Sequence, residues 1–126
     1  MTTEIARKNW KKFFDGLSRD LFDWETTVEV VSDDVGAQVM SVSLPFGGLT
    51  FDVPGNCIEL EVGSGTGIHQ SHIIFDPVSV AFNESGPGPG GVLDVEDAAG
   101  TKTLIHFIRP FPVLMEYEKT GIVAVA

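Results

Sequence analysis

Between Thr26 and Ile108 the chain consists of short runs in which apolar and polar side chains alternate. The run Cys57–Val62 is the clearest, because three apolar residues alternate there with the cysteine and two glutamates. A period of two is typical of strands that bury one face, and turn residues at spacings of about ten positions predict antiparallel pairing. The remaining runs are Thr26–Val31, Gly36–Leu44, Leu49–Val53, His72–Phe75, Val78–Asn83, Val92–Glu96 and Thr101–Ile108.

The segment before these runs has a helical period. Its apolar residues recur at steps of three and four: Trp10, Phe13, Phe14, Leu17 and Leu21. This spacing predicts one amphipathic helix over residues 9–21, with Asn9 as its N-cap. Lysines in the first turn oppose the helix dipole, so we expect the helix to gain its stability by docking its aromatic face on the sheet. The alternative is a helix that binds a partner or a membrane surface.

Charge is distributed very unevenly along the chain. Between Arg19 and Lys102 there is no lysine or arginine, although 14 of the 18 acidic residues lie there. A sheet with only negative charge cannot neutralise phosphates, so nucleic acid and anionic membranes are poor partners.

The length of 126 residues is typical of one domain, and no linker or repeat interrupts the sequence, so we expect a single domain over residues 1–126. Cys57 is the single cysteine and cannot form an internal disulfide, which fits a reducing cytoplasm. No apolar run approaches the roughly 20 residues of a membrane span. We therefore expect a soluble, cytoplasmic protein.

One short motif points to an enzyme. Residues 59–67 read E-L-E-V-G-S-G-T-G, which resembles the first motif of the S-adenosylmethionine-dependent methyltransferases. The resemblance implies that Glu61, Gly63, Gly65 and Gly67 bind the cofactor. In such a motif glycines let the backbone approach the ligand, and a helix must follow with its N-terminus at the ligand.

The sequence after this motif argues against the enzyme. Only eight residues separate Gly67 from Asp76, and those before Asp76 are mostly β-type. A parallel crossover needs a dozen or more residues. We therefore interpret the glycines as a hairpin loop. A helix after Gly67 would favour the methyltransferase, and a strand would favour a binding domain.

Two other candidate sites rest on few residues. His69 and His72, with Asp76 and Cys57 nearby in sequence, are residue types that hold zinc, but positions 69 and 72 of a strand point to opposite faces. Cys57 could act as a nucleophile with a histidine, although neighbouring carboxylates raise the pKa of a thiol. His106 lies in the apolar run T-L-I-H-F-I and is expected to be a hydrogen-bonded core or edge residue.

Several acidic residues alternate with apolar residues that point inward. They are Glu29, Glu59, Glu61, Asp94 and Glu96. We expect them to share the outer face of the sheet, with some of them close together across strands. The face is either a plain solvated surface or a site for a cation or a basic protein.

Taken together, motifs along most of the chain resemble a small family of bacterial domains of unknown function. The resemblance supports the fold and implies no activity. Its motifs are W-x-x-F-F-D-x-x-S-R at Trp10–Arg19, Trp24 with V-E-V at Val28–Val30, G-A-Q at Gly36–Gln38, L-P-x-x-G-L-T at Leu44–Thr50, H-x-x-H-x-I at His69–Ile74 with Pro77, and L-x-V-x-D-A-x-G-x-x-x-L-I at Leu93–Ile105.

The sequence thus predicts a mainly β (α+β) fold, in which an N-terminal amphipathic helix packs on a small antiparallel β-barrel or bent sheet of about seven strands. The predicted function is non-enzymatic binding, of a protein partner or of a second copy, without a cofactor. The alternative is an enzyme that uses S-adenosylmethionine at Glu61–Gly67.

Overall fold

A computed structural model describes residues 2–63, 67, 69–84 and 89–110. One helix, α1, spans Trp10–Asp20, and a short 3₁₀ turn at Arg7–Asn9 precedes it. The strands are β1 (Thr2–Ile5), β2 (Trp24–Ser32), β3 (Gly36–Asp52), β4 (Cys57–Gly63), β5 (His69–Phe75), β6 (Pro77–Asn83), β7 (Val92–Asp97) and β8 (Lys102–Pro110).

All eight strands belong to one antiparallel sheet, in the order β1-β6-β7-β8-β2-β3-β4-β5. The predicted mainly β fold with one N-terminal helix is confirmed. A closed barrel is not confirmed, because β1 and β5 are edges and no ladder joins them within the described residues. The sheet is nevertheless strongly curved, since only Asp76 separates β5, at one edge, from β6, beside the other edge.

Strand β3 differs from the prediction. The sequence predicts two strands, Gly36–Leu44 and Leu49–Val53, but the structure has one strand that changes partner. Its first part pairs with β2, and its second part, from Phe46 onward, pairs with β4. The register shifts between Phe46 and Gly48, where Gly48 adopts a φ of 143° that favours glycine. The glycines therefore bend the strand instead of ending it.

Strand β1 was not predicted. It has only four residues, and its alternation is too short to distinguish from a loop. It forms because Thr2–Ile5 pairs with β6, with Ile5 opposite Val80. This pairing is a tertiary contact between the beginning and the second half of the chain.

The helix docks on the sheet as predicted. Trp10, Phe14 and Leu17 are buried, and Phe13 is partly buried. Trp10 packs edge-on against Phe51 of β3, with ring centroids 5.1 Å apart. Asn9 occupies the N-cap position as predicted, although its side chain makes no capping hydrogen bond.

The core lies between α1 and the concave face of the sheet. Phe46 of β3 and Phe107 of β8 meet there edge to face, with centroids 4.9 Å apart. Its buried apolar residues are Trp10, Phe14, Leu17, Val28, Phe46, Leu49, Phe51, Ile58, Leu60, Val62, Ile74, Val80, Leu93, Val95, Ile105 and Phe107.

Arg7 contacts residues from several distant parts of the chain. Its guanidinium donates to the Pro77 carbonyl at 3.2 Å and to the Asn56 side-chain oxygen. It also lies 4.8 Å from the ring centroid of Trp10 and 5.1 Å from that of Phe51. Within the described part of the chain, no helix combines the length and apolar character needed to cross a membrane.

Candidate functional site

The glycine-rich motif connects two antiparallel strands. Gly63, the last residue of β4, pairs with His69, the first residue of β5, and Gly65 lies outside the described residues. Strand β5 begins at His69, two residues after Gly67. A strand therefore follows where the chemistry of the methyltransferase motif requires a helix. The Glu61 carboxylate lies 3.2 Å from the His69 ring nitrogen.

The three candidate metal ligands do not converge. His69 is exposed on the outer face beside Glu61, whereas His72 pairs with the buried Leu60 and lies half-buried on the other face. The Asp76 carboxylate accepts a hydrogen bond from the Asn56 side chain at 3.3 Å. Among the described residues, no group of three His, Cys, Asp or Glu side chains is placed to hold a metal ion.

Cys57 is partly buried on the outer side of β4. Its sulfur lies 3.9 Å from an Asp52 carboxylate oxygen. Burial, and then the charges of Asp52 and Glu59, raise the pKa of the Cys57 thiol. A raised pKa lowers the fraction of reactive thiolate at neutral pH, so the surroundings of Cys57 do not activate it as a nucleophile.

The five predicted acidic residues do lie on the outer face. The glutamates of β4 and the two acids of β7 alternate with buried apolar residues. Glu29 follows the buried Val28 on β2. None of them stands directly opposite another carboxylate in a ladder. Glu59, for example, faces Thr50 and Ile73. The expected close approach of these acids across strands is therefore not found among directly paired residues.

Three of these acids also have cationic or titratable partners. The nearest atoms are 2.8 Å apart for Glu29 and His106, 3.2 Å for Glu61 and His69, and 3.8 Å for Asp94 and Lys102. Burial raises the pKa of Asp94, although Lys102 acts in the opposite direction. Lys102 thus offsets part of the charge of the acidic face, and two histidines of neighbouring strands contact its glutamates.

The first part of β3 has a free side. From Gly36 to Pro45, β3 pairs with β2 on one side, but β4 begins to pair on the other side only at Phe46. We call the segment Gly36–Ser43 the free β3 edge. No described residue pairs with its second side. In an antiparallel sheet alternate residues point their N–H and C=O groups to each side, so this edge presents backbone groups that no residue in the described part of the chain pairs with.

Three side chains of the free β3 edge are apolar and exposed. Val39 is 58% exposed, Met40 45% and Val42 62%. No residue from Val35 to Phe51 carries a charge. Edge strands usually carry lysine, proline or other features that prevent further pairing. The free β3 edge therefore differs from an ordinary solvated edge in both backbone and side-chain chemistry.

The sequence interpretation did not single out these residues. It placed a strand at Gly36–Leu44 but could not assign one of its sides to solvent. The available signal is the charge-free run between Asp34 and Asp52, which is unusual in a chain with a net charge of −10. Only the strand pairing in the structure shows that this segment has one described neighbour, β2, instead of two.

The proteins that this chain is similar to have no described activity. An uncharacterized protein of Aquifex aeolicus (strain VF5) is 28% identical over 112 residues, which are 89% of this chain and 96% of that protein. No solved structure matches the chain. Residues 1–113 match the family of unknown function DUF5335, and the chain belongs to that family.

Proposed function

We propose that this domain is a non-enzymatic interaction domain that forms a homodimer through the free β3 edge. The observation that carries the proposal is the coincidence, within Gly36–Ser43, of a backbone side that no described residue pairs with and three exposed apolar side chains. Such an edge is a template for one more strand, whose main-chain hydrogen bonds supply affinity and whose side chains supply specificity.

Charge favours a second copy as the strand that pairs there. Each copy carries a net charge of −10, so an interface between copies must keep carboxylates apart. The free β3 edge meets this condition, because it has no charged residue of its own. The nearest acids in sequence are Asp33 and Asp34, in the turn that precedes it.

Two-fold symmetry separates those acids further. If two β3 strands pair antiparallel about an axis near Val39, Asp34 of one copy lies beside Leu44 of the other. The two Asp34 residues are then ten steps apart along the strand direction, which is about 34 Å. This distance exceeds the Debye length of about 8 Å at physiological ionic strength. Pairing in this geometry adds main-chain hydrogen bonds without a local repulsion between acids.

Sedimentation equilibrium of the full chain tests the proposal, from micromolar to submillimolar protein. We expect a dimer whose fraction rises between low salt and about 0.15 M salt, because salt screens the overall repulsion. Val39→Lys should yield a monomer, since the two-fold axis would place two ammonium groups opposite each other.

The matched control is Ile73→Lys on β5. Ile73 is 44% exposed and lies on an edge strand of the same sheet. The control should remain a dimer with the parent's dissociation constant. A parent chain that is monomeric at every concentration would contradict the proposal. So would a dimer that Ile73→Lys dissociates and Val39→Lys does not.

A further inference from the structure

A groove runs along α1 on the side of β1. It encloses about 450 Å³ and is lined by Ile5 of β1 and by one stripe of the helix that includes Asn9, Lys12, Phe13, Gly16 and Leu17. A second cavity of about 370 Å³ shares Leu17 and Asp20 with it and continues toward Phe82 of β6. We call the first cavity and its continuation the α1 groove. Its size is within the usual range of small-molecule sites.

The middle of the α1 groove is apolar and open. Phe13 forms a wall there and packs edge-on against Phe82, with ring centroids 5.7 Å apart. Gly16 contributes no side chain, and a Cβ atom at this position would meet only the Arg19 guanidinium, at 3.8 Å. Glycine inside a helix is unfavourable. At this position its effect is to leave space beside Phe13 and Leu17.

One end of the α1 groove is cationic. Lys12 lies at its rim, and no described residue forms an ion pair with it. Lys8 is one helical turn away and is also exposed. At the other end, Asp20 lies 3.3 Å from Arg19, which offsets its charge. The groove therefore combines an unpaired ammonium at the amino end of α1 with an apolar floor.

From this arrangement we infer that the α1 groove binds a single-chain carboxylate of the fatty-acid class. The carboxylate lies against Lys12 and the Asn9 side-chain amide, and the hydrocarbon chain lies over Phe13, Gly16 and Leu17. The ammonium supplies a charge-assisted hydrogen bond to the carboxylate. The eleven-residue separation of Asn9 and Asp20 gives the groove a length of about 16 Å along the helix. The inference is independent of the homodimer proposed above.

Isothermal titration calorimetry of the full chain with monomeric decanoate tests this inference. Decanol and decyltrimethylammonium serve as neutral and cationic probes with the same hydrocarbon chain. We expect decanoate to bind at least tenfold more tightly than either. Dodecanoate should bind more tightly than decanoate, since each fully buried methylene strengthens binding about fourfold.

Three variants locate the site. Gly16→Leu fills the middle of the groove and should weaken decanoate binding at least tenfold. Lys12→Gln should weaken decanoate binding about tenfold and leave decanol binding within twofold. The matched control Lys11→Gln changes an exposed lysine that does not line the groove, and it should leave both affinities within twofold.

Several outcomes would overturn the inference. They are equal binding of decyltrimethylammonium, unchanged decanoate affinity in folded Gly16→Leu, an equal effect of Lys11→Gln and Lys12→Gln, or binding to phosphatidylglycerol vesicles without binding of monomeric decanoate. If Gly16→Leu does not fold, the comparison of Lys12→Gln with Lys11→Gln decides the question.

Discussion

Gly16 lies near the middle of α1, and its replacement by alanine should stabilise the protein. Glycine in a helix interior is about 1 kcal/mol less favourable than alanine, chiefly because its unfolded chain is more flexible. The structure has room for the added methyl group, whose nearest neighbour would be a guanidinium atom at the ordinary distance of 3.8 Å. We therefore expect Gly16→Ala to raise the free energy of unfolding by about 1 kcal/mol.

Thermal unfolding followed by circular dichroism measures this change. The entropy of unfolding is about 2.1 cal/mol/K per residue, so for this chain a gain of about 1 kcal/mol raises Tm by about 4 °C. Gly100→Ala is the matched control. A methyl group at Gly100 also has open space, with nothing within 4 Å, but Gly100 has a φ of +85°.

The left-handed conformation costs a side chain about 1–2 kcal/mol, so Gly100→Ala should lower Tm although it makes the same chemical change in equally open space. If both variants shift Tm in the same direction, backbone conformation does not control these positions and the reasoning is wrong. An unchanged Tm for Gly16→Ala would contradict the expectation that the low helix propensity of glycine reduces stability at this position.

Three further predictions concern the aromatic core, a half-buried histidine and a buried hydroxyl. Phe14→Ala should cost about 3–5 kcal/mol, and Phe13→Ala less, because Phe14 is fully buried and Phe13 only partly; thermal melts compare them. Burial lowers the pKa of His72 below 6.5, so its contribution to stability is present above that pH and is lost as the pH falls through the folded pKa. Denaturant unfolding should thus show a smaller loss of stability on acidification for His72→Gln than for the parent, and an equal loss would contradict the role of His72 burial. Ser41→Ala should raise Tm, since the Ser41 hydroxyl is buried and has no hydrogen-bond partner among the described residues; a lower Tm would contradict this.

The periodicity of the sequence was sufficient to predict most helices and strands of the fold. Helical spacing of Trp10, Phe14 and Leu17 predicted both the existence of α1 and its buried face. Alternation in Cys57–Val62 predicted β4 and the orientation of its glutamates. These predictions succeeded because burial of one face imposes a period that depends only on the local backbone.

Where the sequence interpretation was wrong, a long-range contact was decisive. Gly47 and Gly48 look like a turn between strands. In the structure β4 pairs with residues on both sides of Gly47, so β3 continues through the glycines with a bulge. Thr2–Ile5 looks like an irregular terminus, but β6 pairs with it. A local sequence cannot show which distant strand offers its hydrogen-bonding groups.

The same distinction applies to the candidate sites. The E-L-E-V-G-S-G-T-G motif was already doubtful from the short segment after Gly67, and the pairing of Gly63 with His69 provides the structural reason. The free β3 edge and the α1 groove were not foreseen. Each depends on which distant residues lie beside an element, and the local sequence does not show those residues.

The sequence by itself therefore determined the mainly β composition, the docking face of α1, the outward position of the acidic residues and the absence of charge from Val35 to Phe51. Only the tertiary structure decided the strand order, the curvature that lets Asp76 alone connect β5 to β6, and which side of Gly36–Ser43 no described strand pairs with. The physical reason is that side-chain periodicity is set by neighbours within one strand or helix, whereas strand pairing and cavities are set by residues far apart in the chain.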